Sequence, residues 1–123
     1  MNTTNKKYEL LPAESGASLF RIRALRDFGD IKKGELGGHI AGESNLSHEG
    51  VCWVYGDARV YSNARVCDNA HVSGNARVFG DALVYGDALV FGNALVYGDA
   101  YVSGNAQVCG NAYVSGNARV FGT

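Results

Sequence analysis

From residue 54 onward the chain repeats one hydrophobic–polar pattern every six residues. Valine stands at 54, 60, 66, 72, 78, 84, 90, 96, 102, 108, 114 and 120. Alanine holds the position two before each valine from Ala58 to Ala118, and Cys52 takes that place before Val54. The residue before each alanine is Asn or Asp, from Asp57 to Asn117. The residue before that is Gly, except at Ser62 and Asp68. The unit is therefore Gly-(Asn/Asp)-Ala-x-Val-x. It is too short for a helix. Ala-x-Val-x alternates with period two, as a strand does. Gly-Asn and Gly-Asp are turn dipeptides, because both positions tolerate left-handed backbone angles cheaply. Each unit is thus one short strand and one corner, and such units bury an apolar face only by stacking into a solenoid.

The residues around the valines decide which side faces inward. They include Arg59, Arg65, His71, Arg77, Gln107 and Arg119. A narrow core cannot hold a stack of unpaired arginines. Ala and Val point inward, and both x positions point outward. Counting back in sixes puts Leu36 at the valine phase and Ile40, Leu46 and Cys52 at the alanine phase. Gly42 and His48 then fall on valine places, so the first coil is expected to be irregular. Residues 1–33 lack the repeat. Lys7–Leu11 and Ser18–Leu25 read as two short strands with Pro12 to Gly16 as the turn, a hairpin cap over the first coil. The chain divides into this cap, 1–33, and a solenoid over 34–123, the two forming one structural domain. The repeat runs in phase to Gly122-Thr123, so the C-terminal edge is expected to be covered by a partner or a second copy.

The repeat resembles that of the hexapeptide, left-handed parallel β-helix superfamily, and most of all its YdcK-like bacterial and phage branch. The residues that carry the likeness are Leu-Arg-Asp-Phe-Gly-Asp-Ile (25–31), Gly-Glu-Leu-Gly-Gly (34–38), Asn-Leu-Ser (45–47) and Cys-Trp-Val-Tyr (52–55), followed by the repeats. The resemblance implies an all-β, left-handed parallel β-helix with three units, or 18 residues, per triangular coil. It also implies trimers of parallel prisms, and a phage source is compatible with it. Many relatives in the superfamily are acyltransferases, with a catalytic His and coenzyme A in an intersubunit groove. Such sites are usually built on a loop that interrupts the helix. Residues 54–122 have no interruption, so a non-catalytic role is favoured and acyl transfer is the lesser alternative.

Stacking at 18 sorts the outward residues onto three faces. The first carries Trp53, His71, Leu89 and Gln107 with Tyr55, Ser73, Phe91 and Cys109. The second carries Arg59, Arg77, Leu95 and Tyr113 with Tyr61, Phe79, Tyr97 and Ser115. The third carries Arg65, Leu83, Tyr101 and Arg119 with Cys67, Tyr85, Ser103 and Phe121. Phe79, Leu83, Tyr85, Leu89, Phe91, Leu95 and Tyr97 form an apolar belt on all three faces, which points to a homo-oligomer interface. Arg59 and Arg77 beside Tyr61 and Phe79 suit a small anionic ring compound such as a nucleotide, guanidinium for phosphate and ring for base. His48 precedes Glu49, a carboxylate able to orient its imidazole.

Composition narrows the rest. The chain has 123 residues and a formal net charge of -1, which gives no reason to expect a nucleic-acid polymer as partner. No apolar run approaches the roughly 20 residues of a membrane span, and the N-terminus has no signal-peptide core. Cys52, Cys67 and Cys109 lack metal-ligand spacing, so a reduced cytoplasmic chain without metal or cofactor is expected.

Overall fold

The computed structural model describes residues 6–11 and 19–122. The expected turn at Pro12 to Gly16 lies outside them. Among the described residues the chain is all-β apart from one 3-10 turn at Glu43–Asn45. The first strands are β1 (Tyr8–Leu10), β2 (Phe20–Ala24) and β3 (Leu36–Ile40). β1 pairs antiparallel with β2, and β2 antiparallel with β3. The β2–β3 register shifts between Arg21 and Arg23.

From β3 onward every pairing is parallel. One face runs β3, β5 (Arg59–Val60), β8 (Arg77–Val78), β11 (Leu95–Val96) and β14 (Tyr113–Val114). The second runs β4 (Trp53–Val54), β7 (His71–Val72), β10 (Leu89–Val90) and β13 (Gln107–Val108). The third runs β6 (Arg65–Val66), β9 (Leu83–Val84), β12 (Tyr101–Gly104) and β15 (Arg119–Gly122). The longest face contributes five parallel strands, so the solenoid makes about five turns. From β4 onward each strand pairs with the one 18 residues on, as in Arg77↔Leu95 and Val78↔Val96.

The inward assignment holds. Alanines 58 to 100 and valines 54 to 102 of the repeat are at most 1% exposed. Backbone bonds tie coil to coil, for example Arg77 N to Ala94 O at 3.0 Å, Phe79 N to Val96 O at 2.9 Å and Asp81 N to Gly98 O at 2.8 Å. At the corners, side chains add a second ladder: Asn63 Nδ2 donates to Asp81 Oδ1 and Asn69 Nδ2 to Asp87 Oδ1, both at 3.1 Å. The corner residues need positive φ, and Ser62 and Asp68 adopt it too, at 59° and 60°. Burial fades in the last coil, where Ala112 and Ala118 are exposed.

The first coil departs from the expected phase. Ile40 pairs with Val60 and Leu46 bridges Val66, so both occupy valine places rather than alanine places. Val54 pairs with Val72, at the regular spacing of 18. The segment between Leu46 and Val54 therefore holds two residues more than a repeat unit, and counting back in sixes slips by two. Gly42 and His48 do not point inward as valine substitutes, and Leu36 is 49% exposed.

Trp53 occupies an outward position yet is fully buried, because the N-terminal segment covers it. Phe28 and Tyr8 meet it edge-on, with centroids at 5.2 and 6.2 Å. Gly37 makes the fit possible: a Cβ there would lie 2.7 Å from Trp53 Cζ2 and 2.6 Å from the Val54 carbonyl oxygen. At Gly38 a Cβ would lie 2.6 Å from Val54 Cγ1 and 2.8 Å from the Ala58 carbonyl oxygen. The Gly-Gly pair of the 34–38 motif is thus a matter of space, letting β3 lie flat on the next coil.

Candidate functional site

The N-terminal segment is clasped to the first coil by a dense polar cluster. Lys7 is fully buried, and its ammonium donates to the Cys52 carbonyl at 2.8 Å and lies 4.9 Å above the Phe28 ring. Cys52 Sγ is 3.4 Å from the same nitrogen. Burial lowers the Lys7 pKa below its ordinary value and raises that of the Cys52 thiol. Tyr8 stacks on His48 at 4.1 Å and its hydroxyl donates to the Leu46 carbonyl. The Lys7 backbone N–H donates to His48 Nδ1 at 3.0 Å, so the ring hydrogen sits on Nε2, 2.8 Å from Glu43 Oε1. Glu43 also pairs with Lys6 at 3.2 Å. The partner of His48 is therefore Glu43, which the 3-10 turn brings to it, and not the adjacent Glu49. The His48 hydrogen bond, first of all, holds the Glu43 carboxyl below its usual range. Every polar atom of this cluster serves the clasp, so it reads as structural.

Asn45 is the second fastening. It is 1% exposed and satisfies all its hydrogen-bonding capacity. Its Oδ1 accepts from the Ala41 and Gly42 amides, both at 2.9 Å. Its Nδ2 donates to Ala64 O at 2.8 Å and Ser62 O at 3.2 Å. Beside this turn, Ser44, Ser47, Arg65, Val66, Cys67 and Leu83 line an open depression of about 550 Å³.

On the face led by β3, the parallel register sets Arg59 beside Arg77. It also adds two residues that sequence reasoning did not place there. β3 puts His39 beside Arg59, and β2 puts Arg21 beside His39. The row Arg21–His39–Arg59–Arg77 therefore crosses four adjacent strands. Arg21 Nε donates to the Gly37 carbonyl at 3.0 Å, which fixes its head. Among the described residues, no salt bridge involves Arg21, Arg59 or Arg77. His39 has its pKa lowered by burial, and further by Arg21 and Arg59, with Asp57 opposing. Its Nδ1 is buried without a hydrogen-bond partner. Trp53 Nε1 shares that condition under the N-terminal cover.

Two residues along the same strands, Tyr61, Phe79 and Tyr97 stack in a column with centroids 5.1 and 5.0 Å apart and planes within 3°. Phe79 has a ring on each side. The belt residues Phe79, Leu83, Tyr85, Leu89, Phe91, Leu95 and Tyr97 project outward and are half-buried, shielded in part by neighbours in their own columns. Beyond them Tyr113 and Phe121 are 68% and 71% exposed. His71 is half-buried against Tyr55 at 5.5 Å, and burial lowers its pKa. Among the described residues, no helix is long and apolar enough to cross a membrane.

The YdcK beta solenoid repeat model matches residues 70–86, 82–98 and 106–122, inside the coils described above. No curated protein matches the chain. Sequence repeat and three-faced parallel stack agree: the chain is a β-solenoid, and its coils over 70–98 and 106–122 are similar to the YdcK beta solenoid repeat.

Proposed function

We propose that this chain is a non-catalytic β-solenoid that assembles with copies of itself and serves as a rigid scaffold and binding module. The observation that carries the reading is the apolar belt: seven large side chains project from all three faces of the middle coils and are only half-buried. Soluble monomers rarely expose contiguous apolar patches beyond a few hundred Å². A second copy is the occupant that fits. Parallel prisms share one advance of about 4.8 Å per coil, so the ridges of one column stay in step with the grooves of another along the contact. A trimer of parallel prisms satisfies this with every copy equivalent. The uninterrupted run from β4 to β15 offers no inserted loop on which to build a catalytic pocket, which favours the non-catalytic reading. The test is Leu89→Lys together with Leu95→Lys. Each position points outward, so the fold should persist while the assembly dissociates to a smaller species by light scattering. Unchanged mass in both variants would place the contact elsewhere.

A second reading concerns the binding module. Arg59 and Arg77 stand in register without an ion-pair partner among the described residues, beside Tyr61 and Phe79. Like charges in adjacent strands cost stability, and an anion between them removes that cost. This supports binding of a small anionic, nucleotide-type ligand. Arg77→Ala should weaken it at least tenfold in a titration, and an unchanged affinity would count against the reading.

A further inference from the structure

We propose that the Tyr61 end of the ring column is a niche for a single aromatic anion of the nucleoside-monophosphate class, its base stacked on Tyr61 and its phosphate held by Arg59 and Arg21. This rests on the anion-binding reading of the Arg–aromatic face and gives the ligand's ring a place on it.

The column itself restricts where a ring can lie. Phe79 is sandwiched between Tyr61 and Tyr97, so neither of its faces is free. An added ring can join only at an end. At the first end, Ile40 pairs with Val60, and Ala41, the next residue, stands in the row above Tyr61. A methyl group there leaves the outer face of Tyr61 without an aromatic neighbour among the described residues. The space continues past Ala41, since a Cβ added to Gly42 would meet nothing within 4 Å. At the other end, Val96 pairs with Val114, which sets Ser115 in the row below Tyr97.

Charge distinguishes the two ends. The Tyr97 end is flanked by Leu95 and Tyr113. The Tyr61 end is flanked by Arg59 on its own strand, with His39 and Arg21 in the next two rows and Arg77 on the other side. Asp57, the carboxylate that acts on His39, stands at the corner before Arg59 and favours a ligand of modest charge over a long polyanion. Arg59 lies two residues, about 6.5 Å, from Tyr61 along the strand. A ribose between ring and phosphate spans a gap of that size. The rings of the column already follow the strand spacing, with centroids 5.1 and 5.0 Å apart, so a base on the outer face of Tyr61 extends the column in the same direction.

The floor of the niche is rigid. The Ala41 and Gly42 amides are both committed to Asn45 Oδ1, so recognition falls to the arginines. Burial, and after it the two flanking arginines, lower the pKa of the His39 ring, so the positive charge of the row rests on its arginines.

The experiment is calorimetric titration of the whole chain with AMP, GMP, CMP, adenosine and inorganic phosphate, on wild type, Arg59→Ala and Ala41→Phe. Phenylalanine at 41 continues the stack and fills the niche. The expected result is that at least one nucleoside monophosphate binds, at least tenfold more tightly than phosphate or adenosine. Ala41→Phe should abolish that preference while retaining weak phosphate binding, and Arg59→Ala should lose both. If Ala41→Phe does not fold by circular dichroism, Ala41→Leu and the ring-proton shifts of Tyr61 on adding AMP serve instead. Nucleotide binding that is unaffected by filling the niche would overturn the niche and leave the anion-binding reading standing. No binding of any nucleotide or of phosphate would overturn both.

Discussion

Val90 lies midway along the solenoid, fully buried, paired with Val72 on one side and Val108 on the other. Val90→Ala removes two methyl-sized groups from a closed core. The transfer cost is about 1.6 kcal/mol at about 0.8 per group. The cavity that remains adds about 1 kcal/mol, because stacked coils tied by backbone ladders cannot collapse around it. The total, roughly 2–3 kcal/mol, corresponds to a fall in Tm of about 10 °C for a chain of this size. Leu89 is the internal control: it is adjacent, larger and half-buried on the outside, between His71 and Gln107. In dilute solution Leu89→Ala should cost less than about 1 kcal/mol. Urea denaturation at low protein concentration measures both. Hydrogen exchange shows how far the damage spreads: the Ser73 amide donates to the Val90 carbonyl and the Phe91 amide to that of Val108, both at 2.9 Å. These should lose protection together, since each coil rests only on its neighbours. Wild-type melting for Val90→Ala, with a large loss for Leu89→Ala, would refute the assignment of inward and outward positions.

Other outcomes follow from the first coil and the charged row. Asn45→Ala strands two amides and two carbonyls at once and should cost at least about 2 kcal/mol by chemical denaturation; a neutral effect would show that water replaces the side chain. Gly37→Ala must push a Cβ against the Val54 carbonyl and the Trp53 ring, and should lower stability by about 1–3 kcal/mol, with the loss of Trp53 burial visible in its fluorescence. His39 and His71 have folded pKa values below 6.5, so the unfolded chain binds more protons just below that pH. The stability they confer is complete above pH 6.5 and is lost as pH falls through their folded values. Thermal melts from pH 7.5 to 5 should show this decline, and His39→Gln should flatten it; a slope unchanged by the substitution would remove His39 as a cause.

Much of this architecture can be read from residue types alone. Arginines at 59, 65, 77 and 119 exclude their parity from the core, and the spacing of 18 then places each outward residue in its column. The same spacing aligned Arg59 with Arg77 and Tyr61 with Phe79. It failed in the first coil for a physical reason. Two extra residues between Leu46 and Val54 shift the phase, so Ile40 and Leu46 fill valine places although a six-residue count denies it. Trp53 takes the outward place its phase requires, but a local pattern cannot show that a distant segment will cover it. Buried Lys7 gave no signal, because lysine is almost never fully buried without partners, and here the partners are carbonyls 43 and 45 residues away. Arg21 joins the row through an antiparallel pair and His39 through a parallel pair offset by 20 residues rather than 18, so the repeat spacing reaches neither. The Asn-Leu-Ser and Gly-Gly motifs were visible as motifs; only their contacts reveal Asn45 as a four-bond staple and Gly37 and Gly38 as clearance for Trp53 and Val54.

A second copy that covers the belt from Phe79 to Tyr97 must raise the mass of the protein in solution. Sedimentation equilibrium of the full chain from 1 to 100 μM measures this without a label or a variant. The expected result is a mass well above the 13.0 kDa of one chain, a trimer being the fitting assembly. A single species of one-chain mass across that range would contradict it.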